Sequence, residues 1–163
     1  MENRGNAAIV LENTVKSVCR KGENMRRNEP VSKIMSSQML TVHTAQKVSE
    51  AYRVLTENRI HHLPVVSGDK LVGLISSTDM MKLSLDAYGT PDSANTGYFD
   101  SQFSIKDVMS TELTTVKPDD SIRSAAEILS AGSHHSLPVV NVDGKLVGIV
   151  TTTDLVNYLL DQY

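Results

Sequence analysis

Apolar and polar positions along the chain follow two periods, and they do so twice. Between Lys47 and Asn58, Val48, Ala51, Tyr52 and Leu55 fall at i, i+3, i+4 and i+7, which predicts a helix with one apolar face. Ile122, Ala125, Ala126 and Leu129 mark a second such helix over Ile122 to Ala131. Val-rich runs predict strands at His62 to Ser67 and Lys70 to Ser76, and again at Leu137 to Asn141 and Lys145 to Thr151. The turns between them hold Gly68-Asp69 and Val142-Asp143-Gly144, the latter a strong tight-turn signal. Short strands are expected at Met39 to Val42 and Leu113 to Val116. Helices are expected from about Thr78, carrying Met80, Met81, Leu83 and Leu85, and at the C-terminus, carrying Leu155, Tyr158 and Leu159. Each half reads strand, helix, strand, strand, helix.

The halves share residues as well as order. LPVV, KLVG and a closing Thr-Asp recur, and Met35-Ser36, Thr41-Val42, Ala51 and Leu55 match Met109-Ser110, Thr115-Val116, Ala125 and Leu129 at an offset of 74. A unit of about fifty residues buries too little surface to be stable alone, so the copies are expected to pack on each other. The boundaries expected are residues 1–30 as an N-terminal extension with a short amphipathic helix at 7–20, 31–85 as repeat one, 86–104 as a polar linker and 105–163 as repeat two.

Charge and composition narrow the function. A net charge of -3 over 163 residues and no long Lys/Arg cluster argue against a nucleic-acid surface. No apolar run is long enough to span a bilayer, and none at the start reads as a secretion signal. A single cysteine and no paired-cysteine spacing fit a reducing, cytoplasmic compartment. Phosphate-loop, dinucleotide, nucleophile-elbow and HExxH signatures are all missing, so no catalysis is expected.

The candidate chemistry lies at the ends of the repeats. Ser76-Ser77-Thr78-Asp79 and Thr151-Thr152-Thr153-Asp154 fit a helix capping box, in which the aspartate satisfies a backbone donor. A carboxylate also accepts two hydrogen bonds from a vicinal diol, and the recurrence of Asp after KLVG in both copies favours a ligand-facing role beside the cap. Helix starts bearing hydroxyls suit a phosphate. His61-His62 and His134-His135 invite a metal reading, but adjacent strand-entry residues point to opposite faces and no cysteine or carboxylate stands at ligand spacing. No metal site is expected.

The Met-Ser openings, the HxLPVV runs and the KLVG(I/L)(V/I)(S/T)xTD endings together resemble the CBS domain pair, over roughly residues 31 to 160. The resemblance implies a mixed α/β (α+β) fold of two β-α-β-β-α repeats packed through their sheets with pseudo-two-fold symmetry. It further implies two clefts between the repeats that bind adenosyl ligands (AMP, ADP, ATP or S-adenosylmethionine) and association of two modules into a disc. Carried onto this sequence, one cleft takes Asp154 for the ribose hydroxyls with Thr151 nearby, Leu40, Thr41 and Val42 beside the adenine, and His61, His62 and Pro64 near the phosphates. The other takes Asp79 and Ser76, faced by Thr114, Thr115, Val116, His135, Ser136 and Pro138. The reading is a free-standing regulatory module that binds an adenine nucleotide, forms a homodimer and signals to an effector protein through a change in repeat arrangement. The alternative is a structural docking dimer without a physiological nucleotide.

Overall fold

The computed structural model describes residues 29–86 and 96–163; the expected helix at 7–20 lies outside them. Leu63 to Val66 are apolar on both faces, so this run needs cover on both sides, and it takes the centre of a sheet. That sheet has three strands in the order β1-β2-β3. β1 (Val42–His43) runs parallel to β2 (His62–Ser67), and β3 (Lys70–Ser76) runs antiparallel to it. Gly68, with φ +60, turns β2 into β3 in a backbone conformation that L side chains resist. In the second repeat β4 (Ser136–Val140) and β5 (Leu146–Thr151) form the matching hairpin, turned by Gly144 at φ +76. Both hairpins carry a register shift at the same place, between Val65 and Val66 and between Val139 and Val140.

The helices follow their apolar periods. α1 (Val48–Glu57) buries Val48, Ala51 and Leu55, while α2 (Ser77–Asp86) follows β3 directly. α5 (Ile122–Ser130) buries Ile122, Ala125 and Leu129, and α6 (Thr152–Leu160) follows β5. The short strands expected at Met39 to Val42 and Leu113 to Val116 shrink to two residues and to one parallel bridge, Val116 with Val139. Leu40 is left 46% exposed, so the apolar run there finds no second sheet neighbour.

The expected linker 86–104 holds a helix, α3 (Thr96–Gln102), with α4 (Ile105–Val108) just after it. Phe99 and Phe103 pack against the first core at i, i+4 spacing, an apolar signal outweighed in the sequence by surrounding Gly, Ser and Asp. Asp100 supplies something α1 lacks. Lys47 at the α1 N-cap offers no side-chain acceptor, and Asp100 takes hydrogen bonds from the Ser49 amide at 2.9 Å and the Ser49 hydroxyl at 2.7 Å. Ser121 does this job locally for α5, accepting from the Ser124 amide at 3.0 Å.

The repeats are interleaved. The segment that opens each one packs on the other. Val31, Ile34 and Met35 belong to the second core, and Ile105, Val108 and Met109 to the first. Ser36 exchanges backbone hydrogen bonds with Ile149 on β5 at 2.9 and 3.1 Å, and Ser110 does the same with Leu74 on β3 at 2.9 and 3.0 Å. Gly148 and Gly73 are the KLVG glycines at those crossings. A Cβ on Gly148 would lie 2.6 Å from Met35 Sδ, and one on Gly73 would overlap Met109 Sδ. The two most repeated motifs, Met-Ser and KLVG, are thus each other's partners across the repeats. The hairpin turns also meet, through a Lys70–Lys145 bridge and a Leu146 amide donating to the Asp69 carbonyl at 3.1 Å.

Candidate functional site

The starts of α2 and α6 are built alike. Asp79 Oδ2 accepts from the Ser76 amide at 2.8 Å and the Ser76 hydroxyl at 2.6 Å, while the Asp79 amide donates back to Ser76 Oγ at 3.2 Å. Asp154 Oδ2 accepts from the Thr151 amide and hydroxyl, both at 2.7 Å, and its amide returns to Thr151 Oγ1 at 3.3 Å. Both aspartates therefore close a capping box. Each does so through one carboxylate oxygen. The second oxygen of Asp79 stands 3.8 Å from the Lys82 ammonium and has no hydrogen bond among the described residues.

A cavity of about 290 Å³ opens against the first of these boxes. Both repeats line it: Ser76 and Asp79 from one, Thr114, His135, Ser136 and Pro138 from the other. These are six of the residues expected there. Of the remaining two, Thr115 is exposed and Val116 is buried in the second core, and neither is among the residues lining the cavity.

His62 lies on this cavity as well, although the sequence reading grouped it with Asp154. The reason is register: its Cα stands opposite Ser76, beside the start of its own repeat's α2. His61 is exposed, with its Nδ1 3.3 Å from Ser77 Oγ, also at the α2 start. Of the other residues grouped with Asp154, Leu40 and Thr41 are exposed, Val42 is paired in β1 and Pro64 is buried in β2.

Ser110, Glu112 and His134 are among the lining residues that sequence reasoning did not assign to the cleft. Ser110 belongs to the repeated Met-Ser pair, and that repetition was the signal for it. His134 Nε2 stands 3.1 Å from Thr114 Oγ1, which holds both side chains at the rim.

Electrostatics and hydrogen bonding mark the site. Burial first, then the neighbouring His135 and His61, push the His62 imidazole below its ordinary pKa, against the pull of Asp79. Ser136 Oγ is buried and, among the described residues, has no hydrogen-bond partner. A buried hydroxyl without a partner costs about 1–3 kcal/mol. Among the described residues, no group of three or more His, Cys, Asp or Glu side chains is arranged to hold a metal ion, and no helix is long and apolar enough to cross a membrane.

Comparison with known proteins agrees with this geometry. The CBS domain family model matches residues 31–86 and 105–161. A chloroplastic CBS domain-containing protein of Arabidopsis thaliana, CBSX1, is 34% identical over 131 residues, covering 69% of this chain and 56% of that protein. A homoserine O-acetyltransferase of Methanohalobium evestigatum is 32% identical over 135 residues, covering 82% of this chain but 24% of the enzyme. The chain thus spans well under two thirds of the length of these curated relatives. Among solved structures, the CBS domain pair of protein MJ0100, in complex with 5′-methylthioadenosine and S-adenosylmethionine, superposes with a TM-score of 0.66 at 27% identity, covering 80% of this chain and 99% of that one. CBSX2 in complex with AMP superposes at 0.68 with 26% identity, covering 81% of this chain and 96% of that one. With both repeats matched and the pair superposing on solved pairs, the chain belongs to the CBS domain family and carries a tandem CBS pair.

Proposed function

We propose that the pair is a regulatory module that binds an adenosyl ligand between its repeats and passes the binding event to a partner protein as a change in repeat arrangement. The observation that carries this reading is the cavity at Asp79, where the half-engaged carboxylate of one repeat and Thr114, His135 and Ser136 of the other line the same space. The unused Asp79 oxygen suits a ribose diol, and Asp154 repeats the arrangement at the second cleft. The ligands in the MJ0100 and CBSX2 complexes are adenosyl compounds, which supports the class. A ligand moves the repeats only if it binds one arrangement more tightly than the other. Because the cavity is lined from both sides of the repeat boundary, an occupant contacts both bodies.

A thermal-shift panel of AMP, ADP, ATP, S-adenosylmethionine, NAD and GTP tests the reading. At about a hundred times its Kd, a ligand adds about 2.7 kcal/mol to the folded state. For a chain of this size that is a rise in Tm of roughly 5–10 °C. Asp79→Asn and Asp154→Asn assign the working cleft through the ligand-dependent shift, since the caps they disturb change the unliganded Tm as well. No shift with any compound, in protein free of co-purified nucleotide, refutes the reading.

The second reading is a docking module, and one observation favours it. α6 buries none of its residues, and Val156, Leu159 and Leu160 stand 50%, 44% and 66% exposed at i, i+3 and i+4. A second copy of the chain is the occupant we propose for that stripe. The two readings are compatible, and the second stands alone if no ligand binds.

A further inference from the structure

We infer that the Asp79 cleft selects adenosyl ligands whose 5′ substituent carries little or no negative charge, a thioether or sulfonium in preference to a di- or triphosphate. The inference rests on the adenosyl-binding reading and sharpens it. Its basis is the charge census of the cavity. Among the described residues, the lining holds two carboxylates, Asp79 and Glu112, and three imidazoles, His62, His134 and His135, and no lysine or arginine. Lys82 stands outside the lining with its side chain 71% exposed, its ammonium 3.8 Å from Asp79. Polyphosphates are ordinarily held by permanent cations or by open helix N-termini. Here the start of α2 is faced by Asp79, whose carboxylate and amide are both engaged in the capping box. A triphosphate entering this space would meet two carboxylates with no fixed positive charge to offset them.

The imidazoles make the selection depend on pH. His62 is faced by His61, His135 and Asp79, and burial with its two histidine neighbours keeps it neutral to lower pH than a free imidazole. His134 is joined to Thr114 and His135 shares the cavity. Near pH 7.5 His62 therefore adds little positive charge. Towards pH 6 a phosphate draws protons onto it, so binding of phosphorylated ligands strengthens while that of an uncharged thioether stays level. Glu112, exposed at the rim, acts in the opposite sense and attracts a sulfonium or ammonium group.

Isothermal titration of the whole chain with 5′-methylthioadenosine, S-adenosylmethionine, AMP and ATP at pH 7.5 tests the inference. Each added negative charge is expected to weaken binding about three- to tenfold, which places AMP about tenfold and ATP at least a hundredfold below methylthioadenosine. At pH 6.0 the AMP gap should narrow severalfold with methylthioadenosine unchanged. Glu112→Gln, an exposed change, should tighten AMP about fivefold, weaken S-adenosylmethionine and leave methylthioadenosine within twofold. ATP binding as tightly as methylthioadenosine at pH 7.5, or a Glu112→Gln effect equal for all four ligands, overturns the inference while leaving adenosyl binding intact. No binding by any of the four removes the adenosyl reading, and the inference falls with it.

Discussion

Gly73→Ala tests whether the repeats are held by the fit of Met-Ser on KLVG. The added methyl would lie 2.8 Å from Met109 Cγ and 3.0 Å from Met109 Cβ, and closer still to Sδ. Carbon atoms at rest stand about 3.5–4.0 Å apart, so Met109 has to retreat by about 0.5–1 Å. Its backbone is pinned on both sides, by its own amide bonded to the Ile105 carbonyl at 3.0 Å and by the Ser110 pairing with Leu74. Overpacking of this kind costs about 1–3 kcal/mol. Restricting the unfolded chain by replacing glycine returns about 0.4–1 kcal/mol. The net expectation is a loss of about 1–2 kcal/mol, or roughly 2–8 °C in Tm for a domain of this length. The assay is a double-mutant cycle by urea denaturation. In a Met109→Ala background the sulfur and Cγ are gone but Cβ stays, 3.0 Å from the added methyl, so the cost of Gly73→Ala should fall without vanishing, with a coupling of about 1 kcal/mol. An equal cost in both backgrounds refutes the fit as the reason for the glycine. Gly148→Ala should be relieved only in part by Met35→Ala, because the Ser36 carbonyl oxygen, 3.3 Å from the added carbon, stays in place.

Three further outcomes follow from single residues. Ser136→Ala removes a buried hydroxyl that has no partner among the described residues, so the protein should gain about 1 kcal/mol in chemical denaturation; a loss of stability would contradict the unpartnered state. Asp100→Ala should cost about 0.5–2 kcal/mol at pH 7, the usual worth of a helix cap. Burial works against ionisation of Asp100, but the Ser49 hydrogen bonds and the Lys47 charge outweigh it and hold the folded pKa below the ordinary value. The cap is therefore at full strength above the unfolded pKa and fades as pH falls through the folded one, so wild-type and variant urea curves should converge in acid. Leu160→Asp, on the exposed stripe of α6, should shift the species seen by light scattering from dimer to monomer with Tm of the monomer little changed; an unaltered dimer places the interface elsewhere.

The hairpins and the main helices were legible because their periods are local: LPVV answers KLVG within a few residues, and Val48, Ala51 and Leu55 share one face whatever surrounds them. Lys47 lacks the capping side chain that Ser121 provides, a difference visible at matched positions, yet nothing near Lys47 in the sequence points to Asp100 as the substitute. The same limit applies to His62. Its place on a strand was readable, but the cavity it lines depends on the register of β2 against β3 and on the packing of the other repeat. The Met-Ser pair was noticed as a repeat without its meaning, because Ser36 and Ile149 are joined by backbone groups that leave no residue signature.

The interleaving bears directly on how a bound ligand would be felt. Leu74 and Ser110 exchange two hydrogen bonds across the repeat boundary, and both also line the cavity beside Asp79. The seam that joins the repeats is thus part of the cleft wall. An occupant that draws Asp79 towards Ser136 works against or with that seam, since Asp79 follows β3 and Ser136 begins β4. The turn-to-turn contact of Asp69 with Lys145 and Leu146 joins the two hairpins at their tips. A ligand that changes the repeat arrangement, as proposed, therefore has to strain or relieve both the Leu74–Ser110 seam and the contact between the turns.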